Sequence, residues 1–257
     1  LDGYRVDAVK HIPYAVHRNF QTQIAKRIEN ENFDFYTVGE TFSGDAGLLN
    51  SYIGETMLDG QFDFDLYWNI LGAFGRNEIP LYEVENAYQR NALIYGDAKM
   101  SHFLGNHDVE RFISHADGDV ASLYGDGLCP NGYWRGPAES PLIQDPYDSL
   151  KLAWTYLMFT DGPVLIYYGD EIGLPGYRDP DNRQMMKFDN QLTEHEESVL
   201  EHVQKLTKIR KENRIHFFGD RSIWWGPPDE DVLAIANSTF SGGSIIVVNR
   251  SYDEQTI

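Results

Sequence analysis

The sequence predicts an α/β fold on a parallel sheet, closed as a barrel or doubly wound, with the beginning of a separate β domain behind it. Three observations carry this expectation. Strand-like stretches alternate with segments of helical spacing through the first 214 residues. Asp7, Glu40 and Asp108 fall at or just past the C-terminal ends of expected strands, and in a parallel barrel those ends converge on one mouth, where active sites lie. After about residue 214 the helices stop, and short strands follow one another between Gly, Pro and Asp turns.

Residues 4–9 read as the first strand. Val16, Phe20, Ile24 and Ile28 then recur every four residues, which suits a helix over 14–30, with Pro13 placed for its first turn. A second strand covers 35–39 and ends at Glu40, and a weaker third lies near 61–66. Residues 82–95 fit a helix, and 101–104 an apolar strand that runs into Asn106-His107-Asp108. A helix over 148–160 leads to a bulky strand at 163–168, closed by Gly169. Residues 193–212 form a polar helix with Val199, Val203, Leu206 and Ile209 on one side. Beyond it, 223–225, 232–236 and 245–248 read as strands. The expected division is therefore 1–214 for the sheet-and-helix unit and 215–257 for the beginning of the β domain. The stretch 116–146 is long and rich in Gly, Asp and Pro, a feature that in compact domains is usually functional.

Composition excludes several classes. Apolar types make up 42% of the 257 residues, enough to build a core and too much for a disordered chain. Asp and Glu number 40 against 21 Lys and Arg, a net charge of −19. Phosphate backbones and anionic lipid repel such a surface, which argues against a nucleic-acid partner. No apolar run approaches the roughly 20 residues of a spanning helix, so no membrane association of that kind is expected. The single Cys129 allows no internal disulfide and no multi-cysteine zinc site, and is expected to be inert. The chain opens on Leu1-Asp2-Gly3 without a Met or a signal-like segment, and stops soon after a β-like run. Both ends read as cuts within a longer protein.

The carboxylates carry the chemistry. Arg5 and Asp7 are two apart on one strand and point to the same face. A guanidinium beside an acid keeps it ionised, and an ionised carboxylate in a dry pocket is a nucleophile. Glu40 follows Val38-Gly39 in apolar surroundings. Partial desolvation makes a carboxyl hold its proton, as a general acid must. Two carboxylates with such different environments are what a glycosidase needs. Asp108, beside Asn106 and His107, adds a polar cluster suited to sugar hydroxyls. Alone, each feature has a plain structural reading: an ion pair, a solvated loop acid, a capped turn. Their common place at strand ends changes that weighting.

Four segments resemble a known family. Asp2-Gly3-Tyr4-Arg5-Val6-Asp7-Ala8-Val9-Lys10-His11 is similar to the nucleophile strand of the α-amylase family of glycoside hydrolases. Val38-Gly39-Glu40 resembles its acid/base strand end, and Phe103-Leu104-Gly105-Asn106-His107-Asp108 its third-carboxylate motif. Residues 162–173 resemble its last barrel strand and the loop that follows. Order and gaps agree, over roughly residues 1–214. The resemblance implies a partial (β/α)8 TIM barrel, strands four to eight, followed by the start of a C-terminal antiparallel β-sandwich domain. The first three strands would be missing, and a fragment of this kind is expected to be inactive alone.

The same resemblance implies a retaining hydrolase of α-glucosidic bonds in starch-type glucans or maltooligosaccharides. Asp7 would be the nucleophile, Glu40 the acid/base, and Asp108 the group that binds the sugar at the cleavage point and favours its distorted ring. Arg5 would orient Asp7, and His107 would hydrogen-bond the same sugar. Lys10 and His11 would line the leaving-group side. In calcium-binding members the residue matching His11 gives its backbone carbonyl to the metal, so a structural Ca2+ is a further expectation. No other cofactor is required. Arg111 and Arg183 stand where the family places polar loop residues. Starch-type chemistry and acidity point to an extracellular or periplasmic parent. Two other readings are an α-glucan transglycosylase or trehalose synthase-type isomerase, and a non-catalytic amylase-like subunit.

Weaker signals remain. Tyr67, Trp68, Tyr133 and Trp134 could be stacking platforms for sugar rings or core. Trp224 and Trp225 are expected in the core of the β domain. Asp117, Asp119 and Asp126 suggest a calcium loop without its full ligand spacing.

Overall fold

The computed structural model describes residues 2–124, 137–213, 219–228 and 230–255. Strand β1 (Gly3–Val6) passes through a 3-10 turn at Val9–His11 into helix α1 (Tyr14–Arg27). Strand β2 (Tyr36–Gly39), helix α2 (Ala46–Asn50) and strand β3 (Gly60–Gln61) follow. Next come α3 (Phe64–Ile70), α4 (Leu81–Tyr95), β4 (His102–Phe103) and α5 (Phe112–Ala116). Helix α6 (Asp145–Leu157), β5 (Val164–Leu165) and α7 (Glu194–Glu212) complete the alternation. Strands β6 (Asp220–Trp225), β7 (Val232–Thr239) and β8 (Gly242–Asn249) form the last part. Among the described residues no helix is long and apolar enough to cross a membrane.

Strand order decides between the two candidate sheets. β1 pairs in parallel with β2, and β2 with β3. A parallel bridge from Phe62 to Ser101 carries the sheet on to β4, which pairs in parallel with β5. The five strands lie side by side in chain order. A doubly wound sheet reverses its order at a switch point. An unreversed order with a helical crossover between strands is that of a barrel wall.

The strand expected over 163–168 is only Val164–Leu165, short helices at Ala46–Asn50 and Phe112–Ala116 were not expected, and two further departures have a clear cause. Residues 61–66 are not one strand. β3 stops at Gln61 because Asp63 caps α3, its Oδ1 accepting from Leu66 N at 3.1 Å. The aromatic run that looked strand-like is a helix burying Phe64, Leu66, Tyr67 and Ile70. In α1 the apolar stripe is only partly used: Ile24 is buried, while Val16 and Ile28 are exposed. The inward positions are polar ones that find partners. His17 Nε2 meets Val9 O at 3.1 Å, and Gln21 Oε1 accepts from Thr37 Oγ1 at 3.2 Å.

The core joins the barrel wall to the antiparallel sheet. Phe62, Phe64, Phe103, Phe112 and Trp154 belong to one buried cluster that runs on to Leu233, Ile235 and Val248. β7 pairs with both β6 and β8 and takes the burial, with Val232, Leu233, Ala234 and Ile235 all inside. β6 lies at the edge of that sheet, so Trp224 is 61% exposed and Trp225 is exposed as well. The expectation that both tryptophans are core is corrected by this order. Arg221 clamps the sheet to the helices. It makes a two-pronged pair with Glu85 at 2.8 Å on each prong and donates to Phe159 O.

Candidate active site

β1 and β2 are laced together where they end. Glu40 N donates to Val6 O at 2.8 Å, and Val9 N donates to Glu40 O at 2.9 Å. Between them the backbone turns sharply: Ala8 has φ 49°, in the left-handed region that a residue with a Cβ rarely adopts. That turn aims Ala8 N at the Glu40 side chain, and it donates to Oε2 at 3.1 Å. Strain at a strand end of this kind is typical of functional positions.

Arg5 touches both acids. Its Nη1 pairs with Asp7 Oδ1 at 2.8 Å, and its Nη2 lies 3.9 Å from Glu40 Oε2. The guanidinium stands over the Phe62 ring at 5.7 Å. The two carboxylates differ sharply in setting. The side chain of Asp7 is 69% exposed, and that of Glu40 only 9%. The open acid is free to meet a ligand, whereas the buried one is held by a backbone N–H and a cation. Lys10 is exposed and reaches across to donate to Phe42 O at 2.7 Å. His11 is exposed at the end of the 3-10 turn.

A second group forms past β4. Asn106 is buried, and its Oδ1 accepts from Asp108 N at 2.7 Å, fixing the turn. His107 Nε2 lies 3.2 Å from Asp108 Oδ2. Arg183 comes from the loop after β5, donates to His107 O at 3.2 Å and stands 4.0 Å from Asp108 Oδ1. Arg183 also pairs with Asp179 at 3.2 Å. The structure therefore gathers Arg5, Asp7 and Glu40 in one group and Asn106, His107, Asp108 and Arg183 in another. Both lie past the C-terminal ends of strands that run parallel in one wall, so they share its upper rim.

Other sequence candidates fall elsewhere. Tyr67 is buried and stacks on Phe103 with centroids 4.9 Å apart, so it is core and not a platform. Trp68 is half-buried and, with Phe42, Asp65, Asn69, Tyr124 and Arg178, lines an open cavity of about 450 Å³. Tyr133, Trp134, Asp126 and Cys129 lie outside the described residues. Burial, helped by the charge of Asp119, raises the pKa of Asp117.

Arg111 stands in the loop after β4, ahead of α5, and is buried there. It stands three positions past Asp108 and is 1% exposed. Its Nη1 donates to Tyr168 O and Asp170 Oδ1, both at 2.7 Å, and its Nε donates to Asn182 O at 2.9 Å. Its partners Asp170 and Asn182 are buried too. The signal for Asp170 was the Gly169-Asp170-Glu171 run in a segment expected to end a barrel strand, and Asn182 stands beside the candidate Arg183.

The profile of the α-amylase catalytic domain matches residues 1–127. A β/α-amylase of Paenibacillus polymyxa is 26% identical over 257 residues, covering 100% of this chain and 18% of that protein. A maltogenic α-amylase of Bacillus acidopullulyticus is 24% identical over 98% of this chain and 37% of its own length. A cyclomaltodextrin glucanotransferase of Thermoanaerobacterium thermosulfurigenes is 26% identical over 98% of this chain and 30% of its own. The chain thus spans 18–37% of these relatives. Among solved structures, an Anoxybacillus α-amylase superposes with a TM-score of 0.78 at 26% identity, over 98% of this chain and 48% of that one. The Geobacillus thermoleovorans α-amylase complexed with acarbose also gives 0.78, at 24% identity over 98% of this chain and 49% of its own.

Proposed function

From its kinship with the α-amylase family of glycoside hydrolases, we propose that this chain supplies the working carboxylates of a retaining enzyme acting on α-glucosidic bonds. Its substrates are starch-type glucans or maltooligosaccharides. In this reading the five parallel strands are the fourth to eighth of a (β/α)8 barrel, and β6–β8 begin a C-terminal β-sandwich.

The observation that carries the proposal is the single guanidinium of Arg5 reaching both Asp7 and Glu40, at 2.8 and 3.9 Å. Retaining glycosidases hold their two carboxyl groups about 5–5.5 Å apart. One cation reaching both acids supports a short separation of that kind. Asp7, open and paired with Arg5, attacks the anomeric carbon. Glu40, buried, gives its proton to the departing oxygen and then takes one from the incoming water. The charge that builds on the ring is met by carboxylates already in place, with no reorganisation at the moment of reaction. Asp108, backed by His107 and Arg183, binds hydroxyls of the same sugar. Lys10 and His11 face the leaving group.

A structural Ca2+ takes six to eight oxygen ligands. His11 would offer one carbonyl, and among the described residues no three His, Cys, Asp or Glu side chains gather into a metal-holding group. Export from the cell belongs to the proposal on the strength of the substrate and the acidic charge.

The test is reducing-sugar release from soluble starch and from maltose by the intact protein. Glu40→Gln should lose about 10³-fold in rate, within the range that general acid–base catalysis contributes, and Asp7→Asn should behave alike. Near-normal activity in Glu40→Gln would sink the assignment. The glucanotransferase relative favours one second reading, transfer of the glycosyl group to a sugar in place of water. Product analysis with maltooligosaccharide separates the two: transfer gives longer or cyclic products, hydrolysis only shorter ones.

A further inference from the structure

We propose that Arg111 is the positioning residue for Asp108, acting as a buried clamp between the loops that follow β4 and β5. The proposal rests on the reading of Asp108 as a substrate-binding carboxylate and adds how it is held.

The backbone N–H and the side chain of Arg111 both bond across to the second loop. Its backbone N donates to Gly176 O at 2.9 Å, and Gly176 N donates back to Ser114 Oγ at 3.0 Å. Its side chain takes the Tyr168 and Asn182 carbonyls and the Asp170 carboxylate from the second loop. Asn182 Nδ2 returns a bond to Val109 O at 2.8 Å, next door to Asp108. The guanidinium lies against the rings of Tyr167 and Tyr168, 4.1 and 4.9 Å from their centroids. The space is closely fitted. A Cβ at Gly105 would come within 2.6 Å of Asp170 Oδ2, and one at Gly176 within 3.0 Å of Arg111 Cγ.

The consequence falls on Asp108. Its outer neighbour Arg183 follows Asn182 directly in the chain, so the clamp that fixes Asn182 also fixes where Arg183 meets His107 and Asp108. A lysine cannot replace this arrangement. An ammonium lacks the planar fork that serves three acceptors at once and stacks on two rings. Loss of the clamp lets the Asp108 loop relax while leaving Arg5, Asp7 and Glu40 on β1 and β2 untouched.

The test uses the intact protein with four variants: Arg111→Lys, Asp170→Asn as the gentler break of the same clamp, Asp108→Asn as the reference for His107, and Ile235→Val as a destabilising control in β7. Displacement of a binding group by about 1 Å can cost on the order of 10²-fold, so Arg111→Lys should lower kcat on maltooligosaccharide by that order. Asp170→Asn should lower it less, and Ile235→Val should lower the melting temperature without changing kcat. The ring proton resonances of His107, read at fixed pH, should move in both clamp variants towards their positions in Asp108→Asn. They should stay put in Ile235→Val. Unmoved His107 resonances in folded Arg111→Lys and Asp170→Asn would overturn the proposal, as would an unchanged kcat in both. If the unmodified intact protein is inert on every α-glucoside, the functional reading fails instead, and the His107 resonances still decide the clamp.

Discussion

Asp170 shows how one buried side chain sets a pH dependence. Burial pushes its pKa up to about 6 from an ordinary 3.8, with the Arg111 charge and hydrogen bond pulling the other way. The folded protein therefore holds the proton more tightly than the unfolded chain does. Between roughly pH 4 and pH 6 the native state binds more protons, so this group costs stability as pH rises through that window. Asp170→Asn has no such term. The melting temperature of the parent minus that of the variant should fall as pH goes from 4 to 6, then level off. A flat difference would show that Asp170 ionises as freely in the fold as out of it. The same residue marks what could be read in advance. The placement of Asp7, Glu40 and Asp108 past strand ends was legible because each acid follows a short apolar run. The burial of Arg111 against Asp170 was not, because it depends on two loops meeting, and nothing local to either loop encodes that meeting.

At the scale of elements, end signals proved more telling than apolar spacing. The helix α7 was expected over 193–212 and runs Glu194–Glu212, because Thr193 and Glu196 close a reciprocal capping box at its start. Thr193 Oγ1 accepts from Glu196 N at 3.3 Å, and Glu196 Oε2 accepts from Thr193 N at 2.9 Å. Removing such a cap costs about 1 kcal/mol. Thr193→Ala should show a loss of that order in urea unfolding, with no change in slope. The helix α3 was missed for the matching reason. Asp63 caps it as Thr193 caps α7, but the aromatic run after Asp63 has strand-like composition. In α1 the spacing of four was right and the inward face was still wrong, since His17 and Gln21 found buried partners that apolar counting cannot foresee.

The whole molecule behaves as one packed unit across the change in sequence pattern near residue 214. The parallel wall and the antiparallel sheet share a core, and Arg221 on β6 reaches Glu85 on α4 with both residues inside. Burial works against the guanidinium charge, and the Glu85 carboxylate more than restores it, so the Arg221 pKa is raised. Breaking a buried pair by removing one partner leaves the other charge uncompensated, at about 3–5 kcal/mol. Glu85→Ala should lose stability in that range by urea unfolding, and a loss below 1 kcal/mol would mean that water reaches Arg221. The shift from alternating helices to consecutive strands was legible in the sequence. The shared core was not, because the residues that join the two parts lie far apart along the chain.

The wall of five strands pairs on one side only at β1 and at β5 among the described residues. Each edge offers a row of peptide groups to any strand that arrives, and such edges invite chains to stick to one another. Against this stands the charge of −19, which makes every approach of one copy to another repulsive. The range of that repulsion is short, about 8 Å at physiological salt and about 3 Å at 1 M. Taken alone, without the rest of the protein, this stretch of wall is therefore expected to stay dispersed where ions are few and to self-associate where they are plentiful.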